Sequence, residues 1–228
     1  MNCEYCFEKK FPSMGSLKWN YLEFEKRLLM FKCIYPNLKK IGIQFYGGEP
    51  WIEKRVIFEI IQNKKILEEK LNLRLSFGIN TNGTLLTNSD IKWLVKNNVR
   101  TIVSFDGISD NNKYRILKDG KSTDQLVLKK IEKYVKELKI QRKEGERLLV
   151  INITINNNNS MQLYDNCDYL ADIGVEYVTY GHTLAVDNAK IYNVDQFSSI
   201  NNAYDLLFKQ AIDDIDKRLF VNKITTHY

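Results

Sequence analysis

A chain of 228 residues, 44% hydrophobic and 27% charged with only 3 Pro, can bury one substantial core and has the balance of an ordinary globular domain. No apolar run reaches the ~20 residues that span a bilayer, and residues 1–10 are too polar for a signal peptide. The net charge of +6 is spread along lysine-rich stretches, so no basic face marks a nucleic-acid binder, although an acidic peptide would suit it.

The hydrophobic period switches repeatedly along the chain. Residues 16–35 read as helix, with Leu17, Tyr21, Phe24, Leu28 and Phe31 at helical spacing. Residues 41–46 read as a strand that ends at Gly47-Gly48, and 53–71 are helical again. Residues 73–79 alternate as a strand into the turn Asn80-Thr81-Asn82-Gly83. A helix over 89–97 precedes the strand 101–105. Thr123 is placed to cap a long amphipathic helix carrying Leu126, Ile131, Val135 and Leu138. The lysine- and glutamate-rich stretch 129–147 suits an outer, solvated face. Strand 148–155, helix 161–173, strand 175–180 and a helix over 196–216 complete the pattern.

Five βα units in succession imply a mainly parallel sheet with right-handed crossovers. They do not separate an open doubly wound sheet from a barrel. In both, function lies in the loops after the strands' C-terminal ends. There the unusual residues gather: Gly47-Gly48-Glu49, Asn80–Gly83, Ser104–Gly107 and Gly181-His182. One site at one end of the sheet is expected.

The four cysteines, Cys3, Cys6, Cys33 and Cys167, do not form a secreted disulfide framework, so a reducing, cytoplasmic setting is expected. Cys33 and Cys167 fall in helical stretches and are expected to be buried as small hydrophobes. Taken alone, Cys3-x2-Cys6 could be a redox pair or half of a zinc site. Gly47 and Gly48 let backbone approach a ligand, and Glu49 beside them can accept from an ammonium group. Arg115 suits bidentate carboxylate recognition. A lone histidine such as His182 is expected to be a structural hydrogen-bonder, and His227 near the terminus is given no role.

Four signatures in order, Cys3-Glu4-Tyr5-Cys6-Phe7, Phe45-Tyr46-Gly47-Gly48-Glu49-Pro50, Asn80-Thr81-Asn82-Gly83-Thr84 and Ser104-Phe105-Asp106-Gly107, resemble the radical S-adenosylmethionine (SAM) enzymes. The likeness is to the SPASM-type branch that matures peptides and sulfatases. It implies a partial (β/α) barrel with about five of six parallel strands present, residues 1–228 forming an incomplete core domain. It implies two cofactors, a 4Fe-4S cluster and SAM, with Cys3 and Cys6 as the second and third cysteines of a Cys-x3-Cys-x2-Cys loop and Tyr5 as its aromatic residue. The first cysteine of that loop would fall two positions before Met1.

By the same resemblance Gly47, Gly48 and Glu49 bind the methionyl amine of SAM, while Ser104 and Arg115 lie near its ribose and carboxylate. The segment from Asp106 to Arg115 is one residue shorter than usual in the family, with Asn111 where a histidine is common. The expected function is reductive cleavage of SAM to a 5′-deoxyadenosyl radical that modifies a peptide or protein. An electron donor such as flavodoxin or ferredoxin is implied, with no nucleic acid or membrane partner and no catalytic acid or base assignable. A degenerate barrel that binds SAM or a peptide without radical chemistry is the alternative, and a cysteine-pair redox or zinc protein is a third. The missing first cysteine, first strand and auxiliary-cluster domain suggest an internal stretch of a longer enzyme.

Overall fold

The computed structural model describes residues 1, 3, 5–6, 20–183, 193–213 and 220–223. Positions 16–19 of the first predicted helix, positions 214–216 of the last, and His227 lie outside them. Chain order runs α1 (Tyr21–Ile34), β1 (Lys40–Phe45), α2 (Lys54–Gln62), α3 (Lys64–Leu71), β2 (Arg74–Thr81), α4 (Asn88–Lys96) and β3 (Arg100–Ser104). It continues with α5 (Asp124–Ile140), β4 (Leu149–Ile155), α6 (Leu163–Asp172), β5 (Tyr177–His182), α7 (Val194–Asp213) and β6 (Phe220–Lys223). No described helix is long and apolar enough to cross a membrane.

The strands form one sheet in the order β1-β2-β3-β4-β5-β6, every neighbouring pair parallel. An order that never reverses has no switch point, and right-handed crossovers then lay every helix on the same face. This is the winding of a partial (β/α) barrel. It carries the five predicted strands and a sixth, Phe220–Lys223, that sequence reading placed nowhere.

Strand alternation sorts the residues between two faces. Leu75, Phe77 and Ile79 of β2, Thr101 and Val103 of β3, and Ile151, Ile153 and Ile155 of β4 are buried toward the helices. In register with them on β1 are Ile41, Ile43 and Phe45, which pack against the same core. The other face is polar near the rim: Gln44, Asn80, Ser104, Asn152 and Thr154 alternate with the core residues. Nε2 of Gln44 donates to Oδ1 of Asn80 at 2.6 Å across β1 and β2.

Several expectations are corrected. The helical stretch predicted over 53–71 is present as two helices that meet at Asn63, which caps one and opens the other. Thr123 stands at the start of α5, yet its hydroxyl donates to the Arg115 carbonyl at 2.8 Å and does not cap the helix. The apolar face of α5 runs through Val127, Leu128, Ile131, Tyr134, Val135 and Leu138, while Leu126 is exposed. The helix ends at Ile140, and Glu137 is buried, which the solvated-face reading did not foresee. Phe31 and Cys33 are exposed on α1, whereas Cys167 is buried as expected, its thiol pushed up to about 12 by burial. His182 belongs to β5, faces the helices, and its Nε2 lies 3.1 Å from the Tyr204 hydroxyl, a structural contact.

Candidate cofactor site at the C-terminal rim of the sheet

The chain after β1 turns through Gly47 and Gly48 into a short 3-10 turn, Pro50–Glu53. Gly47 has φ +151°, a conformation that favours glycine, and a Cβ at either glycine would meet nothing within 4 Å. The backbone here is open to a ligand. Glu49 caps the turn. Its Oε1 accepts from Trp51 N at 3.0 Å and Thr81 Oγ1 at 2.8 Å, and its Oε2 accepts from Asn82 N at 2.9 Å. The carboxylate therefore fastens the β1 rim to the β2 rim.

All three donors to Glu49 are neutral, so its negative charge is undiminished. A carboxylate has about four acceptor positions, so roughly one on Oε2 remains. Trp51 anchors the turn from below: it is 2% exposed, and its indole N–H donates to Asp90 Oδ2 at 3.1 Å. Asp90 is the third residue of α4 and completes a reciprocal cap with Thr87. Burial alone would raise its carboxyl, but hydrogen bonds from Thr87 and Trp51 and the nearby Lys54 ammonium hold it below the ordinary value.

A second carboxylate dominates the rim after β3. Asp106 is fully buried. Its Oδ1 accepts from Thr154 N at 2.8 Å, and its Oδ2 lies 2.9 Å from Arg115 Nε and accepts from the Tyr5 hydroxyl. Arg115 is 6% exposed, and its Nη2 donates to Thr154 Oγ1 at 3.1 Å. The guanidinium also lies over the Tyr5 ring, 5.4 Å from its centroid. Burial would favour a neutral guanidine, but the Asp106 charge outweighs it and pushes the arginine further up. Burial likewise pushes the Tyr5 phenol up, with Asp106 adding to it.

The chain thus brings together Tyr5, Asp106 and Arg115 from distant positions, Tyr5 and Asp106 being 101 residues apart. Cys3 shares this environment: burial raises its thiol, opposed first by the charge of Arg115. Cys6 follows in a turn closed by its N–H donating to the Cys3 carbonyl at 3.3 Å. Two soft thiols three positions apart, Cys3 beside a cation, suit two thiolate ligands of an iron–sulfur cluster and do not complete one. Among the described residues no group of three or more His, Cys, Asp or Glu could hold a metal.

Ser104 ends β3 on the polar face, in register with Asn152, between the Glu49 and Asp106 sets. Sequence reading named Asp106 without a role, had Thr81 and Asn82 within the Asn80–Thr84 signature without a named contact, and missed Thr154. An isolated threonine between Ile153 and Ile155 was the available signal for the last. Asn82 folds its own turn, its Oδ1 accepting from Thr84 N at 3.0 Å and Oγ1 at 2.6 Å.

The profile of the radical SAM superfamily matches residues 1–161. Over 241 aligned residues the chain is 27% identical to the radical SAM cyclopropyl synthase TigE of Paramaledivibacter caminithermalis, covering 100% of this chain and 43% of that protein. It is 25% identical to a cysteine-type anaerobic sulfatase-maturating enzyme of Clostridium novyi, covering 67% of this chain and 40% of the enzyme. The chain therefore spans less than half the length of these curated relatives. Among solved structures, native anSMEcpe with bound AdoMet and Kp18Cys peptide superposes with a TM-score of 0.75 at 17% identity, covering 96% of this chain and 59% of that one.

Proposed function

The chain belongs to the radical SAM superfamily, and from that premise we propose that residues 1–228 are the core domain of an enzyme that reductively cleaves SAM to modify a peptide or protein. The superfamily's cofactors are SAM and a 4Fe-4S cluster. When bound, they supply one-electron reduction of the sulfonium, yielding methionine and a 5′-deoxyadenosyl radical that takes hydrogen from an inert C–H bond. The protein's contribution is binding, orientation and electrostatics.

Glu49 holds the methionyl ammonium through its charge and its remaining acceptor position, with the open backbone of Gly47 and Gly48 alongside. Arg115, fixed by Asp106 and Thr154, offers its other N–H groups to the carboxylate and ribose, and Ser104 adds a hydroxyl from the strand between. Cys3 and Cys6 supply two thiolates. Tyr5 binds their loop to Asp106, and that contact is the observation that carries the reading: it brings Cys3 beside the arginine assigned to SAM. The anSMEcpe structure holds a Kp18Cys peptide on the same fold, which supports a peptide substrate. An electron donor of the flavodoxin or ferredoxin type belongs to this reading, and the four free thiols suit a reducing cytoplasm.

The test compares this chain with a version carrying Cys-Asn before Met1, both reconstituted anaerobically and assayed for iron, labile sulfide and 5′-deoxyadenosine. A cluster and SAM cleavage in the extended version support the proposal. Equal loading of iron in both, with no cleavage, would favour a barrel that binds without radical chemistry.

A further inference from the structure

We propose that the polar face of β1–β3 docks an acidic stretch of the substrate peptide through Lys40, Arg74 and Arg100, an inference that rests on the peptide reading above and adds the partner's charge. Strand register carries the argument. Lys40 is directly opposite Arg74, and Arg100 is opposite Gly78. Because Ile41, Leu75 and Thr101 turn toward the helices, these three cations all stand on the other face. Each is exposed, and none of the three is in an ion pair among the described residues.

Like charges directly opposite each other in a sheet repel. Lysine on an edge strand has a familiar use in discouraging sheet-to-sheet aggregation, and that accounts for Lys40. It does not account for Arg100, on β3 inside the sheet, nor for Arg74, which faces Lys40 directly on the stretch of β2 that precedes its ladder with β3. A bound carboxylate would relieve the repulsion between Lys40 and Arg74, and a further acid along the same segment would reach Arg100, four residues on at the level of Gly78.

The surface from the Lys40–Arg74 pair up to the level of Arg100 is low. Gly42 and Ser76 are exposed register partners, and Gly78 lies next along β2, beneath the Gln44 side chain. An extended segment can therefore lie along the strands. From Lys40 to Phe45 is five residue steps, about 16 Å at ~3.3 Å per residue. A substrate acid seated at Lys40 and Arg74 would thus precede or follow the residue presented at the rim by about five positions.

The full chain is titrated by fluorescence anisotropy with a labelled Gly/Ser peptide carrying three Glu, and with the same peptide carrying three Gln. Two charge-matched variants are compared: K40E/R74E/R100E, and K129E/K136E/K139E on exposed positions of α5. The expected result is binding of the Glu peptide at least about tenfold tighter than the Gln peptide, weakening with added salt. The inner-face reversal should abolish that preference, K40Q/R74Q should reduce it, and the α5 reversal should change it less than about twofold. Equal loss in both triple variants would reduce the effect to net charge and overturn the proposal. Equal binding of Glu and Gln peptides, insensitive to every variant, would overturn the acidic preference while leaving the peptide reading in place. Binding of neither peptide would sink both.

Discussion

Two carboxylates organise the rim, and they do so in opposite electrostatic states. After β1, Glu49 accepts only from neutral donors and keeps its full charge at a partly exposed surface. After β3, Asp106 is buried against Arg115, so the pair is neutral as a unit. One end of the site can thus attract an ammonium group while the other holds a cation still by matching it internally. Burial decides the difference. A charge withdrawn from water needs a partner of opposite sign, whereas one at the rim needs only hydrogen bonds.

Breaking the buried member should have the largest effect. Asp106→Ala leaves the Arg115 charge uncompensated and should cost about 3–5 kcal/mol of folding stability, read from urea denaturation at neutral pH. Gly107→Ala attacks the same region through the backbone. Gly107 has φ +131°, and an added Cβ would lie 2.5 Å from Asn166 Oδ1. A loss of about 2–3 kcal/mol is expected.

Glu49→Ala removes the acceptor of three donors at a half-buried site and should cost about 1–3 kcal/mol. It should also weaken SAM binding about tenfold or more, measured by equilibrium dialysis with the reconstituted enzyme. Glu49→Gln sharpens the contrast, since it can restore much of the stability but not the charge. Unchanged SAM affinity in both variants would remove Glu49 from the binding site.

Acid should loosen the β1 side through Asp90. Its folded value lies below the ordinary 3.8, so the native state binds fewer protons than the unfolded one as pH falls. The stabilisation is complete above the ordinary value and disappears as pH drops through the folded value. Urea midpoints measured from neutral pH downward should show this, and Asp90→Asn should flatten that part of the profile. The smallest effect belongs to Cys33→Ser on the exposed face of α1, within about 0.5 kcal/mol of the parent.

The strands were legible because β-branched runs end at glycine or Asn-Gly turns, signals that act within a few residues, whereas their unreversed order followed only from the family resemblance. The Gly47–Glu49 and Ser104–Gly107 rims were legible for the same reason. What the local pattern could not show is pairing across the chain: Thr154 N reaches Asp106 from 48 residues away, and Tyr5 from 101. Neither spacing leaves a periodic trace. Asn63 divides a helix with no proline or glycine to announce it, and β6 is four residues long, too short for alternation to register. Leu126 falls one position outside the buried face of α5, where Val127 takes its place, a shift that apolar spacing alone does not resolve.

The unreversed strand order has a consequence for how the molecule is made. Each strand's partner is the next one in the chain, so no pairing waits for a segment still to be synthesised on the far side of the sheet. Loop closures stay short, which favours rapid folding for a parallel architecture. The sheet can accrete from β1 toward β6 as the chain leaves the ribosome. On that route the buried ion pair forms midway, once β4 delivers Thr154 to Asp106, and it locks Tyr5, a residue made before β1, onto a scaffold completed much later.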